Sequence, residues 1–422
     1  MRTHARAMRP RRGLARLAFA VVVSAPALSF AAPLDLPAAL ARAAAQDLTR
    51  PATAARLDAA EATVRQAAVR PLPSLGFDLE NFAGSGSRNL TDSTETTVFY
   101  EQTLERGGKR AARLEAARAE IATIRLRGEV RALDALAAVQ ALWVQAAAAE
   151  ASIGVAEERL AVAERLERET ARRVSRARDP LFAGERARTA VAQARIALDQ
   201  AQEAGRNART SLASYVGLAD VQAELAGFER LTAEPAPAAG AVADIALLQA
   251  ERDAAQARIR VAQSRFVQDP TVRAGVRHFR DGGDIAFVVG GSISIGRDDA
   301  NRGNLERARA ERTAADAELV AAQAEREREL ARLVARRSAA ASEVARIDAE
   351  VLPSARRAVS LVRDGFNRGG EAFTYLEVAE AQRAVTEARA RRVELLKSFH
   401  LDGAQLDRLV GRHAPLLAEI RR

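Results

Sequence analysis

Apolar residues recur at helical spacing through most of this 422-residue chain and at every second position in two of four short strand-like runs. The helical spacing predicts helices over 35–70, 109–178, 185–215, 243–267, 301–364 and 372–399. The short runs, 74–82, 95–104, 271–279 and 285–295, read as strands in two pairs. Leu75, Phe77 and Leu79 alternate with Gly76, Asp78 and Glu80, and Val272, Ala274 and Val276 alternate with Arg273, Gly275 and Arg277. Pro73 and Pro270 stop the helix ahead of each pair, and Gly107 and Gly108 open the longest helix.

This order of features occurs twice. A first unit spans 32–216, with a β-hairpin at 73–104 and a helical tip near 179–184. A second spans 243–399, with a hairpin at 270–295 and a tip near 366–370. Leu114–Glu120 and Leu305–Glu311 differ at one position of seven and follow their strand pairs at similar intervals. Residues 217–242, with Pro235 and Pro237, have linker composition, and 400–422 form a less regular tail with a short helix near 405–410.

Lengths decide how these helices stand. The two long ones measure about 105 and 95 Å at 1.5 Å per residue. The shorter ones match only when stacked in pairs, 185–215 with 243–267 and 372–397 with 35–70, at about 85 and 90 Å. Four columns of similar length result, with both strand pairs at one end and both tips at the other. Leu126, Val130, Leu133, Ala137 and Val144 form one apolar seam on the first long helix, and Leu136, Val139 and Trp143 a second. Two seams call for two neighbours, as in a curved wall of helices, although the helices alone also fit an ordinary coiled coil.

The strands separate those alternatives. Each has the length that crosses a bilayer in a β-barrel. Leu75, Phe77, Leu79, Val272 and Val276 are the candidate lipid-facing residues; Asp78, Glu80, Arg273 and Arg277 are the candidate lumen residues. Four strands cannot close a barrel, and open edges are not tolerated in lipid, so several copies must pool their hairpins. A hairpin cap on a soluble rod would leave Phe77, Phe99 and Phe287 without a core. The expected fold is mainly α with a small β part.

Residues 1–31 read as a secretory signal peptide. Six arginines without an acid precede an apolar run of about a dozen residues, too short to span a bilayer, and then Ser29 and Ala31 at the positions of a cleavage site. Their removal takes the net charge from +9 to +3, which removes the charge argument for nucleic acid. The chain has no cysteine, so it uses no disulfide and no thioether-linked lipid. No other segment approaches 18 consecutive apolar residues, which predicts no transmembrane helix.

The segments Phe77-Asp-Leu-Glu-Asn-Phe-Ala-Gly-Ser-Gly86, Glu95-Thr-Thr, Glu101-Gln-Thr-Leu-Glu105, Gly107-Gly-Lys-Arg110 and Asn301-Arg-Gly-Asn304 resemble the TolC-like outer-membrane efflux proteins, and within them the CzcC-like, heavy-metal branch. Phe366-Asn-Arg-Gly369 with Ala379, and Gly184 with Ala194, fit the family's tip pattern. The resemblance implies a homotrimer whose twelve strands form one barrel in outer-membrane lipid. Twelve helical columns would form a tunnel into the periplasm. It implies docking on a periplasmic membrane-fusion adaptor and an inner-membrane resistance–nodulation–division transporter, with no chemistry in the channel. Asp179, Gly184, Phe366, Gly369 and Glu371 become candidate entrance residues, although helix-hairpin turn chemistry explains them equally well. The chain departs from the branch at 293–299, where a Pro-Leu-Phe element is common. It also carries Tyr375 and Val378 where some relatives close the tunnel with acids; the nearby acids are Glu371, Glu377 and Glu380.

Chemistry candidates are few. Beyond the signal only His278, His400 and His413 remain, without metal-ligand spacing, and they read as structural or surface histidines. Neither Gly107-Gly108 nor Gly290-Gly291 belongs to a phosphate loop. No nucleophile, base and orienting acid converge, so no catalysis, cofactor or metal is assigned. An adaptor would have one helical insertion rather than two units. A structural coiled coil would have polar hairpins, and a periplasmic hydrolase would need a site. Organic drugs or secreted proteins remain alternative cargo.

Overall fold

The computed structural model describes residues 33–47, 49–83, 86, 93–231, 242–295, 299–368 and 374–419; the signal segment lies outside them. β1 (Pro33–Leu34) precedes α1 (Leu36–Ala45), capped by the Asp35 carboxylate, which accepts the Ala38 N–H at 2.8 Å. The helix expected over 35–70 is broken. Asp47 accepts the Thr49 N–H at 2.9 Å and its hydroxyl at 2.6 Å, and this turn leads into α2 (Arg50–Ala67) with Pro51 in its first turn. Proline is tolerated there because that N–H has no intrahelical partner.

β2 (Ser74–Glu80) and β3 (Glu95–Thr103) lead to α3 (Lys109–Ser175), 67 residues and about 100 Å long. Gly107 and Gly108 enter it in the left-handed conformation. A Cβ on Gly107 would lie 2.5 Å from the Val267 Cβ, so the second repeat packs into the space of the missing side chain. α4 (Leu181–Val216) runs back along α3. The stretch expected as linker carries structure: β4 (Gln222–Ala223) pairs in parallel with β1, and α5 (Leu225–Phe228) buries Phe228 completely.

α6 (Ala243–Ser264), β5 (Thr271–Phe279), β6 (Ile285–Ser292) and α7 (Asp299–Arg346) repeat the first unit. A π-helical turn, Ile347–Val351, joins α7 to α8 (Leu352–Arg368). Pro353 lacks an N–H and its ring crowds the carbonyl one turn back; the wider turn accommodates both. α9 (Tyr375–Val410) continues through the first part of the expected irregular tail, and α10 (Ala414–Glu419) follows.

Cross-helix pairs fix the columns. Glu115 and Arg127 of α3 meet Arg260 (2.5 Å) and Glu251 (2.6 Å), so α6 lies antiparallel along the strand-proximal part of α3. Glu150 meets Arg209, and Glu164 meets Arg195 at 3.4 Å, so α4 covers the distal part. α2 and α9 divide α3 in the same way. Arg110 donates to the Ala68 carbonyl at 2.7 Å near one end, and Gln140 donates to Asp407 at 2.8 Å further along. Both seams are buried where the columns meet: Leu133, Leu136, Val139, Trp143 and Val144 pack with Phe228 and Phe399. The Trp143 Nε1–H donates to the Leu34 carbonyl at 2.8 Å. By length and composition α3 contains a window apolar enough to cross a membrane. Most of that window is buried against other helices, because its alanines permit close approach.

The two strand pairs merge into one antiparallel sheet of order β2-β3-β5-β6. β2 and β6 are its edges.

Candidate functional site

Strand register sorts the sheet into two unlike faces. One row aligns Phe77, Val98, Val276 and Phe287, and the next aligns Leu75, Tyr100, Ala274 and Val289. Leu79 and Val272 share this face. Phe77, Phe287 and Val289 are 76%, 87% and 83% exposed, so a row of large apolar side chains has no cover within one chain.

The opposite face is charged. Arg277 lies between Glu80 and Glu95, 2.7 Å from each, and its Nε donates to the Thr97 hydroxyl at 2.9 Å. Arg273 stands 3.9 Å from Asp78, with Glu101 directly across the strand pair. Phe99 belongs to this face, opposite Phe77 and Phe287. β3 does not alternate strictly, and the pairing of Val98 with Phe77 turns Phe99 the other way. Its ring covers Gly76, where a Cβ would lie 2.5 Å from Phe99 Cζ, and the Arg273 guanidinium sits 5.4 Å from the ring centre.

The distal ends of the helices carry the second constellation. Arg173 of α3 holds Asp179 through two 2.9 Å hydrogen bonds and donates to the Phe366 carbonyl at 2.5 Å. Its guanidinium lies 4.1 Å over the Phe366 ring. Asp179 and Phe366, one from each tip, are therefore joined through a residue that sequence reasoning did not single out. Phe366 is completely buried, packed with Leu166, Ala183, Ala187, Tyr375 and Val378. Burial pushes the Tyr375 hydroxyl above its ordinary pKa. Gly184 lies inside the first turn of α4 with no positive φ, so turn geometry does not require glycine there. Ala177 takes the left-handed position instead, with φ 53°. Gly369 and Glu371 lie outside the described residues. Glu377 accepts the Thr374 N–H at 3.0 Å in a capping box that starts α9, and its bond to the Thr374 hydroxyl holds its carboxyl below the usual range.

Two histidines sit at mid-height. The His400 Nε2–H donates to the Phe228 carbonyl at 2.7 Å, and His413 Nε2 lies 2.8 Å from Gln140 Oε1. Burial lowers the pKa of both. His278 lies on the apolar face of the sheet, in the row of Leu79. No cluster of His, Cys, Asp or Glu able to hold a metal ion occurs among the described residues.

A sheet with one bare apolar face thus stands at one end of a long helical body. Residues 39–218 and 238–412 match the family described as outer membrane efflux protein. The chain belongs to this family. As an outer membrane efflux protein it resides in the outer membrane, with a large periplasmic part. It is 29% identical over 394 residues to the cobalt-zinc-cadmium resistance protein CzcC of Cupriavidus metallidurans, covering 90% of this chain and 91% of that protein. The solved outer membrane protein VceC of Vibrio cholerae superposes with a TM-score of 0.71 at 21% identity, covering 89% of this chain and 95% of VceC. CusC does so at 0.73 and 18%, covering 89% and 91%. These two likenesses establish the TolC-like fold of this efflux protein.

Proposed function

We propose that three copies pool their sheets into a twelve-stranded barrel continuous with a tunnel of twelve helical columns. The trimer is the passive exit duct for divalent heavy-metal cations in a tripartite system. A periplasmic adaptor and an inner-membrane resistance–nodulation–division transporter complete that system. The observation that carries this reading is the two-faced sheet with two unpaired edges. β2 and β6 of a single chain expose backbone groups that lipid cannot satisfy, and pairing β6 of one copy with β2 of the next removes every edge. A nine-residue strand such as β5 rises about 30 Å and, tilted by about 40°, covers close to the 25 Å apolar band of such barrels.

In this assembly Leu75, Phe77, Leu79, Val272 and Val276 face lipid, and Asp78, Glu80, Arg273 and Arg277 face the lumen. Asp179 and Phe366, with Gly184, stand at the periplasmic entrance. Residues 1–31 are the signal removed on export. The cargo class follows from the name of CzcC, a cobalt-zinc-cadmium resistance protein. Deleting the gene is expected to sensitise cells to cobalt, zinc or cadmium, and mild detergent is expected to extract a trimer from outer membranes. A soluble monomer would overturn the channel assembly; unchanged metal tolerance with raised sensitivity to organic drugs would overturn the cargo.

A further inference from the structure

The strap that leads from α2 into β2 stands off the apolar face of the sheet and leaves a groove of about 720 Å³ at its helix-proximal end. Gln102 anchors the strap by donating to the Pro71 carbonyl at 3.0 Å. Val69, Leu72, Tyr100 and Leu104 line the groove, and all four are exposed, Leu72 by 83%. The groove runs on into the apolar rows of Tyr100 and Val98.

Charge at its rim has one sign. Arg70 and Arg110 line the groove and are exposed, and among the described residues neither meets a carboxylate. Arg110 spends its Nε on the Ala68 carbonyl, which aims the guanidinium and leaves its Nη groups for another acceptor. The acid of the groove, Glu105, is engaged through both oxygens by Arg113, and Lys109 is held by Asp269 at 2.6 Å. An apolar trough ending in two uncompensated guanidinium groups matches a molecule with an acyl chain and a phosphate diester.

We propose that this groove binds an anionic phospholipid of the periplasmic leaflet. Its phosphate sits between Arg70 and Arg110, and one acyl chain lies along Leu104, Tyr100 and Val98, a path of about 20 Å at 3.3 Å per residue. The proposal rests on the outward orientation proposed above for the apolar face. A neighbouring copy is a poorer occupant, because edge pairing at β2 extends the plane of the sheet whereas the groove opens on its face. Guanidinium suits this task, since it is permanently charged and binds phosphate oxygens in pairs.

The test uses the mature chain inserted into vesicles of dioleoyl-phosphatidylcholine mixed with dioleoyl-phosphatidylglycerol. The protein is then extracted in mild detergent and weighed by native mass spectrometry. Phosphatidylglycerol is expected to be retained in preference to phosphatidylcholine. R70Q/R110Q should weaken that retention roughly thirtyfold, at about fivefold for each basic group near an anionic headgroup. R70K/R110K should keep part of it, and R106Q, exposed nearby but outside the groove, should leave it unchanged. Equal retention of both lipids, or an equal loss in R106Q, overturns the phospholipid site while leaving the channel reading intact. A R70Q/R110Q oligomer that falls apart with its lipid preference intact overturns it as well, by assigning the groove to contact between copies. A chain that enters no vesicle overturns the outward orientation and this site with it.

Discussion

Replacing Arg173 with glutamine should loosen both helical tips at once. The guanidinium and the Asp179 carboxylate are 16% and 10% exposed, so solvent screens the pair little. Arg173 makes three hydrogen bonds and covers the Phe366 ring. Breaking a fully buried pair from one side costs about 3–5 kcal/mol, and a cation–π contact adds about 1 kcal/mol. Glutamine recovers part of this by donating to one partner, so a local cost of about 3 kcal/mol is expected. That corresponds to a change of roughly 150-fold in the opening equilibrium of the tip. Amide hydrogen exchange on the purified protein reads this directly. Exchange at 174–183 and 362–368 should accelerate by about two orders of magnitude, while 133–147 in the mid-height core stays unchanged. D179N, which leaves the Phe366 contacts in place, should have a smaller effect. If R173Q changes tip exchange by less than about threefold, the inference that Arg173 couples the tips is wrong.

Other expectations follow from the same geometry. W143F removes the Trp143–Leu34 hydrogen bond and shrinks a fully packed site, and should cost about 2–3 kcal/mol in urea unfolding. On the charged sheet face Asp78, Glu80, Glu95 and Glu101 outnumber Arg273 and Arg277. R277Q should therefore raise cation over anion permeability in planar bilayers under a salt gradient, and an unchanged reversal potential would argue against a lumenal Arg277. His400 and His413 are held neutral in the folded chain and bind protons near pH 6.5 when unfolded. Stability should be full above about pH 6.5 and fall as the pH drops below it, until the lowered folded pKa is reached. H400Q/H413Q should flatten the urea midpoint between pH 7 and about 5.5; the buried Asp402 carboxyl, pushed upward by desolvation, acts in the opposite sense at lower pH.

The elements legible in the chain are those whose pattern is long or sharply punctuated. Alanine and leucine at helical spacing marked α3 and α7, and the clean alternation of β2 and β5 marked their faces. β3 was harder: Thr96, Thr97, Val98, Phe99 and Tyr100 carry no strict alternation, so only pairing with β2 and β5 orients Phe99. The helix break at Asp47 uses a side-chain turn that a helix-forming background conceals. The proline- and alanine-rich composition of 217–242 hid Phe228, whose burial depends on partners far along the chain, among them His400. At the tips, Asp179 and Phe366 stood out beside proline and glycine breaks. Arg173 did not, being one arginine among many on an exposed-looking helix whose partner lies 193 residues away.

The absence of cysteine from the chain permits single-cysteine mapping without background. Cysteines are placed at Phe77, Val98, Val276 and Phe287 on one face of the sheet and at Asp78, Thr97 and Arg277 on the other. In intact outer membranes each is offered a membrane-impermeant maleimide. The first set should resist the impermeant reagent, because a lipid-facing thiol meets neither the reagent nor the water that ionises it, and the second set should react with it. Aqueous labelling at Phe77 and Phe287 would contradict the barrel and the duct built on it.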